Sequence, residues 1–232
     1  MKNYLLWDID GTLMLTNYAG VAALKEALQK IYGLKDFEFT FGMSGRTDRY
    51  IARKAIEGIK GSWTPEESER MLEFYATLLP ASLSRKKGHL LPHVKECLAW
   101  AKANPQVKSV LLTGNCEPAA HAKLAHFGIE NYFDYDLSAF GEISELRDDL
   151  SIALWKKLQA ADPAVRPEDL IIIGDTPHDI RCAHAIGARS LIVLTGSVYK
   201  KEQLEAEHPW KIIPELPENP EALLHLVKEE NS

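Results

Sequence analysis

The stretch WDIDGT, Trp7 to Thr12, ends an apolar run in two aspartates one residue apart, followed by Gly and Thr. The run before it, Tyr4 to Trp7 (YLLW), is short and bulky, which predicts a buried strand ending at Asp8. Side chains alternate along a strand, so Asp8 and Asp10 are expected to point one way while Ile9 turns into the core. Gly11 and Thr12 suit a tight turn that offers backbone N–H groups to an anion. Two carboxylates about 4 Å apart repel by roughly 4 kcal/mol at an effective dielectric near 20. Such a pair needs a bound cation, a shared proton or a basic neighbour.

Three more apolar runs follow far downstream: SVLLTGN at 109–115, DLIIIGD at 169–175 and SLIVLTG at 190–196. They alternate with helical periodicity at about 93–102, 118–127 and 179–185, the pattern of a parallel sheet covered on both faces. The predicted fold is therefore α/β, with a Rossmann-like three-layer α/β/α core. Between the first strand and the rest, residues 18–32, 48–59 and 65–79 read as helices, and no strand interrupts them. Gly33 is the expected C-cap of the first, and Thr64 with Glu67 forms a capping box for the third. These features divide the chain into a core of residues 1–15 and 88–232 and an inserted helical cap of residues 16–87. The tail, with Pro209, Pro214, Pro217 and Pro220, reads as loop and a last helix at about 220–228.

Three of the predicted strands end in polar signatures: Asp8 to Thr12, Thr113-Gly114-Asn115, and Gly174 to Asp179 (GDTPHD). Ligands of open parallel sheets bind outside the carboxyl ends of the strands, so these segments are expected to converge. Thr113 offers a hydroxyl, and Gly114 and Asn115 stand where a following helix would present free N–H groups to a phosphate. Asp175 adds a hard oxygen ligand of the kind Mg²⁺ prefers. Asp179, four residues later, is placed to cap the next helix, orient a metal-bound water or pair with a cation.

Composition narrows the partners. A net charge of −6 over 232 residues leaves no excess of Lys and Arg to neutralise nucleic-acid phosphates. The one basic cluster, Arg85 to Lys87, reads as a solvated loop. No apolar stretch approaches the roughly 20 residues needed to span a membrane. The apolar N-terminus meets Asp8 too soon for a signal peptide, so a cytoplasmic protein is expected. Cys97, Cys116 and Cys182 are too few and too scattered for a disulfide framework or a zinc site, and are expected to be reduced thiols. The sequence leaves the oligomeric state open.

Taken together, DIDGT, TGN and GDTPHD, in this order and after apolar strands, resemble the haloacid dehalogenase (HAD) superfamily, in particular its phosphoglycolate-phosphatase-like branch. SGRTD at 44–48 and LLPHVKECL at 90–98 share the likeness, which spans nearly the whole chain. It implies a helical cap of the C1 type and a Mg²⁺-dependent hydrolase of a small phosphate ester. Asp8 would be the nucleophile that forms an aspartyl-phosphate, and Asp10 the general acid and then base. Mg²⁺ would be held by Asp8, the main-chain carbonyl of Asp10, and Asp175, with Asp179 in or near the second shell. Thr113 and the N–H groups of Gly11, Thr12 and Gly114 would cradle the phosphoryl oxygens, beside Asn115. The basic residue of the family stands in a Lys-Pro motif that this chain lacks. Arg147 in ELRDDL is the best spaced substitute, with Lys156 and Lys157 as alternatives. Arg46 is a possible substrate contact from the cap, whereas Thr47 and Asp48 also read as a plain helix start. His178 is expected to serve as a cap or surface residue. A phosphosugar mutase and a non-catalytic phosphate- or metal-binding regulator are the alternative functions on the same fold.

Overall fold

A computed structural model describes residues 2–223. Its order is β1 (Asn3–Trp7), β2 (Met14–Leu15), α1 (Ala19–Tyr32), α2 (Asp48–Lys60), α3 (Pro65–Lys86), β3 (His89–Leu90), α4 (Val94–Ala103), β4 (Val107–Leu111), α5 (Glu117–His126), α6 (Arg147–Ala161), β5 (Leu170–Gly174), α7 (Pro177–Ile186), β6 (Arg189–Val193), α8 (Lys201–Glu205) and β7 (Lys211–Ile213). Five strands form one sheet in the order β4-β1-β5-β6-β7, and every pairing in it is parallel.

Strand alternation sorts the core into two layers. Leu5 and Trp7 of β1 face one way with Leu111, Ile171 and Ile173, against Val94, Leu98 and Leu124 of α4 and α5. Tyr4 and Leu6 face the other way with Val110 and Ile172, against Leu150, Leu154 and Ala183 of α6 and α7. A strand apolar on both faces must be central, and β1 is, between β4 and β5. Trp7 is level with Leu111 on one side and Ile173 on the other, so the residues that follow each strand emerge at the same edge. The chain order also reverses there, since β4 lies on one side of β1 and β5 on the other.

Residues between β2 and β3 form the helical insert, α1 to α3. The chain leaves and rejoins the sheet side by side: Met14 pairs antiparallel with Leu90, and the Asn17 amide donates to the carbonyls of Lys86 and Lys87 at 3.2 and 3.0 Å. The insert has its own apolar cluster, including Leu28, Ile56, Met71 and Leu79, which takes in Cys116 and Ala119 of α5. Thr47 and Thr64 cap α2 and α3, the latter through the capping box with Glu67.

Three expectations need correction. The third helix does not stop before Pro80 but continues to Lys86, so Arg85 and Lys86 are helical and not loop. Burial overrides the break: Leu79, Ser82 and Leu83 are covered, and the Ser82 hydroxyl donates to the Ala19 carbonyl at 2.9 Å. The tail, read as loop, contributes β7, too short and too close to Pro214 to be seen as a strand. The expected helix at 220–228 lies largely outside the described residues.

Pro80 is exposed and removes the amide that would bond the Ala76 carbonyl. Pro80→Ala restores that bond, less the unfolded-state entropy that proline suppresses, and is expected to stabilise the fold by about 2 kcal/mol. Urea unfolding reads this directly, and an unchanged or lower midpoint would show that the proline costs α3 nothing.

Candidate active site

Asp8 follows β1, and its N–H donates to the Ile173 carbonyl at 2.9 Å, which continues the sheet ladder one step and fixes the side chain at the edge. It is 4% exposed. Arg147, at the start of α6 and equally buried, lies with Nη1 3.6 Å from Asp8 Oδ1 and Nη2 2.6 Å from Asp179 Oδ1. Asp179 is further held by the first turn of α7: its Oδ2 accepts from the amides of Asp175 and Thr176 at 3.2 and 3.0 Å and from the Thr176 hydroxyl at 2.7 Å. Asp175 accepts from the Thr12 hydroxyl at 3.1 Å. Gly11, at φ 84°, passes so close that a Cβ would sit 2.4 Å from Asp175 Oδ2, so only glycine fits the turn.

Lysines 156 and 157 lie elsewhere: both are exposed on α6, and Lys157 donates to the Ser138 carbonyl at 2.6 Å. A different lysine reaches the acids, and sequence reasoning missed it. Lys123 of α5 is buried, with Nζ 2.5 Å from Asp10 Oδ2 and 2.6 Å from Asn115 Oδ1. The Asn115 amide donates to the same Asp10 Oδ2 at 2.9 Å and to Thr113 Oγ1 at 2.9 Å. Asp10 is thus gripped by one oxygen and presents the other, with 44% of its side chain exposed. The available signal was an isolated Lys on the apolar face of α5, eight residues after Asn115 and two turns down the same helix.

The expected phosphate-facing amides are mostly in use. Gly11 and Thr12 donate to the carbonyls of Met14 and Ile9, closing their own turn. At the start of α5 the amide of Asn115 donates to Thr113 Oγ1, that of Cys116 to Asp48 Oδ2 at 2.9 Å, and that of Glu117 to the Glu142 carboxylate. The helix N-terminus attracts anions as anticipated, but protein carboxylates take it. Gly114 N–H has no protein partner among the described residues.

Asp48, at the head of α2, therefore ties the insert to the core. Its own N–H donates to the Gly114 carbonyl at 2.7 Å. The loop before it packs down as well: Gly45, at φ 70°, sits where a Cβ would be 2.7 Å from His178 Cδ2. His178, half-buried on the first turn of α7, thus meets the insert loop. Between insert and sheet edge lies a chamber of about 620 Å³, lined by Asp8, Asp10, Gly114, Asn115, Lys123 and Arg147 below and by residues of the insert above, Arg46 among them.

Asp8, Asp175 and Asp179 each offer an oxygen within 4.8 Å of the others. Three buried carboxylates face a single guanidinium, so their full ionisation would leave two negative charges uncompensated in a dry setting, and oxygen donors of this kind suit a hard divalent cation. The residues present fit such an ion. The three cysteines are free and buried, and burial pushes Cys97 and Cys182 up to about 12, far from a reactive thiolate.

Burial, opposed by Arg147, raises Asp8 to about 6, and burial raises Asp48 to about 6 against the pull of Lys123. Burial, then Asp179 and Asp8, holds Asp175 well above the usual carboxylate range. A carboxyl whose folded pKa exceeds its unfolded one contributes stability at low pH that is lost as pH rises through the folded value. Among the described residues, His178, lowered by burial, runs the other way, as do carboxyls held low by salt bridges, such as Glu57 and Glu207, at the acid end. The metal-free protein is therefore expected to lose thermal stability as pH rises from about 4 through 6. A divalent cation, by favouring ionised Asp8 and Asp175, is expected to lessen that loss. Melting curves across this range, with and without metal, check it; a metal-free Tm that climbs throughout contradicts the assignment.

Residues 5–193 match the family model described as haloacid dehalogenase-like hydrolase. Among curated proteins, the chain is 27% identical over 220 residues to a probable phosphatase, IndB, of Dickeya dadantii, covering 92% of this chain and 90% of that one. It is 25% identical over 185 residues to a phosphoglycolate phosphatase of Nitrosococcus oceani, covering 78% and 79%. Among solved structures, CbbY of Rhodobacter sphaeroides in complex with phosphate superposes with a TM-score of 0.69 at 16% identity, covering 93% of this chain and 95% of that one. The α/β sheet, its helical insert and the matched span give one answer: the chain belongs to the haloacid dehalogenase-like hydrolase family.

Proposed function

We propose that the protein is a Mg²⁺-dependent phosphomonoesterase of a small phosphorylated metabolite, working through an aspartyl-phosphate on Asp8, with residues 16–87 as its cap. The observation that carries this reading is the division of labour between two carboxylates at one strand end. Asp8 stands beside Arg147 and two further carboxylates, whereas Asp10 is gripped by Oδ2 and turns Oδ1 to the chamber. The phosphatase names of the curated relatives support it.

Mg²⁺, held by Asp8, Asp175 and the main-chain carbonyl of Asp10, would supply the positive charge a phosphate dianion needs beside these acids. Arg147 adds fixed charge and keeps Asp8 and Asp179 apart. An Asp8 oxygen forms the new P–O bond as the ester P–O bond breaks, and the departing alkoxide takes a proton from Asp10 Oδ1. Water then attacks the phosphorus, its proton passes to Asp10, and phosphate leaves Asp8 as a free carboxylate. Lys123 and Asn115 hold Asp10 in place for both transfers. Gly114 N–H and the Thr113 hydroxyl are the donors nearest to hand for the phosphoryl oxygens.

Chelation of divalent metal is expected to abolish phosphate release, and added Mg²⁺ to restore it; full turnover in the presence of excess chelator sinks the mechanism. Arg147→Ala is expected to lower kcat/KM by roughly a hundredfold or more, the scale of a lost charged stabiliser. Lys156→Ala and Lys157→Ala should change it little, and the reverse ranking would move the role to a lysine.

Asp10→Asn separates acid from base. It is expected to cost roughly 10²–10⁴-fold on alkyl phosphates but much less in the first step with p-nitrophenyl phosphate, whose phenolate leaves unprotonated. Phosphate should then accumulate on Asp8, visible by rapid-quench mass spectrometry with Asp8→Asn as blank. Equal loss on both substrates with no trapped adduct assigns Asp10 a positioning role instead.

A further inference from the structure

The chamber has two unlike parts. Its polar floor is engaged with the protein: Asp10 by Lys123 and Asn115, Asp48 by the Cys116 amide, and Asn17 by the carbonyls of Lys86 and Lys87. The hydroxyls of Thr195 and Ser197 donate to the carbonyls of Pro214 and Asp175. Its walls are apolar, from Val21, Leu24, Met43 and Ile51 of the insert.

Two large apolar side chains line this space yet stand open to solvent, Tyr18 at 78% and Val198 at 76% exposed. Standing at the rim of one cavity, the two offer apolar surface to whatever enters it. Tyr18 also holds a left-handed backbone, φ 62°, directly after Asn17 at 49°. For a bulky residue that conformation costs on the order of 1–3 kcal/mol, and it persists here because Asn17 is fastened to the end of α3. The fold thus spends strain to display an aromatic ring at the chamber mouth.

Resting on the phosphomonoesterase reading, we propose that the substrate is a monophosphate ester of an alkyl or aryl alcohol with no second anionic group. Its hydrocarbon lies along Val21, Leu24, Met43 and Ile51 and is covered at the mouth by Tyr18 and Val198. A sugar fits poorly. Each hydroxyl moved out of water needs its donor and acceptors matched, and an unmatched one costs about 1–3 kcal/mol. Among the described residues, the chamber's side-chain groups outside any protein hydrogen bond or ion pair reduce to Thr16, Ser44, Arg46 and the hydroxyls of Tyr18 and Tyr75; Arg46 stacks on the Tyr50 ring and Tyr18 stands at the mouth, which leaves few to match a polyol deep in the chamber. A second anion fits no better, because Lys123 and Arg147 are already paired with carboxylates, and Arg46, stacked on Tyr50, is the one further cation lining the chamber.

The test is kcat/KM of the full chain with Mg²⁺ on n-alkyl phosphates from ethyl to hexyl, phenyl phosphate, phosphoglycolate and fructose 1-phosphate, with p-nitrophenyl phosphate as reference. Burial of each methylene is expected to raise kcat/KM about three- to fourfold, which puts hexyl phosphate well ahead of both polar substrates. Tyr18→Asn, which tolerates the left-handed backbone, combined with Val198→Ser should flatten the dependence on chain length. A flat series with phosphoglycolate or fructose 1-phosphate ahead overturns this inference and leaves the phosphatase reading standing. A steep series untouched by the double substitution overturns the role of the rim. Phosphate release from none of the esters, the reference included, overturns the phosphatase reading itself.

Discussion

Everything at the sheet edge depends on keeping four carboxylates, Asp8, Asp10, Asp175 and Asp179, within one small region. The chain separates them electrically into two groups, each with its own cation. Arg147 stands between Asp8 and Asp179, and Lys123 stands behind Asp10. The question raised by WDIDGT is answered by basic neighbours from two different helices. Both cations are buried, so each is paired out of water and neither is available to wander, which is the condition for such pairs to hold geometry.

Topology makes this possible at little cost in chain. Because β1 is central and parallel to both neighbours, the residues after β1, β4 and β5 reach the same edge from 8, 113 and 175. The segments that lead into the helices after β4 and β5 then bring polar side chains inward: Asn115 just before α5, and Asp179 in the capping box of α7. Arg147 comes from the start of α6, whose packing against α7 brings it level with Asp179.

The sheet was legible because its strands are apolar on both faces and end in Asp, Thr and Gly, a contrast that survives in one sequence. The helical insert was legible from its period and caps. The same reasoning failed at Pro80, where local propensity was outvoted by burial of Leu79 and Leu83, and at β7, where three residues carry too little pattern. In the candidate site, the strand-end residues could be named because their positions follow from the sheet. Lys123 could not, because its acid partner is 113 residues away, and a lysine on the apolar side of α5 signals burial without naming the carboxylate it meets. The occupied amides of α5 were equally hidden, since the carboxylates that fill them come from α2 and from the loop before α6.

Asp48 gives that last arrangement a consequence for traffic through the chamber. It is the anion seated on the Cys116 amide, and it belongs to the insert. Any phosphate that binds this amide must first evict Asp48, and Asp48 is the first residue of α2. Occupancy of the amide by a free anion and seating of α2 against the sheet therefore compete, and such competition is reciprocal. A firmly seated insert disfavours a stray anion there, and an anion lodged there loosens the insert.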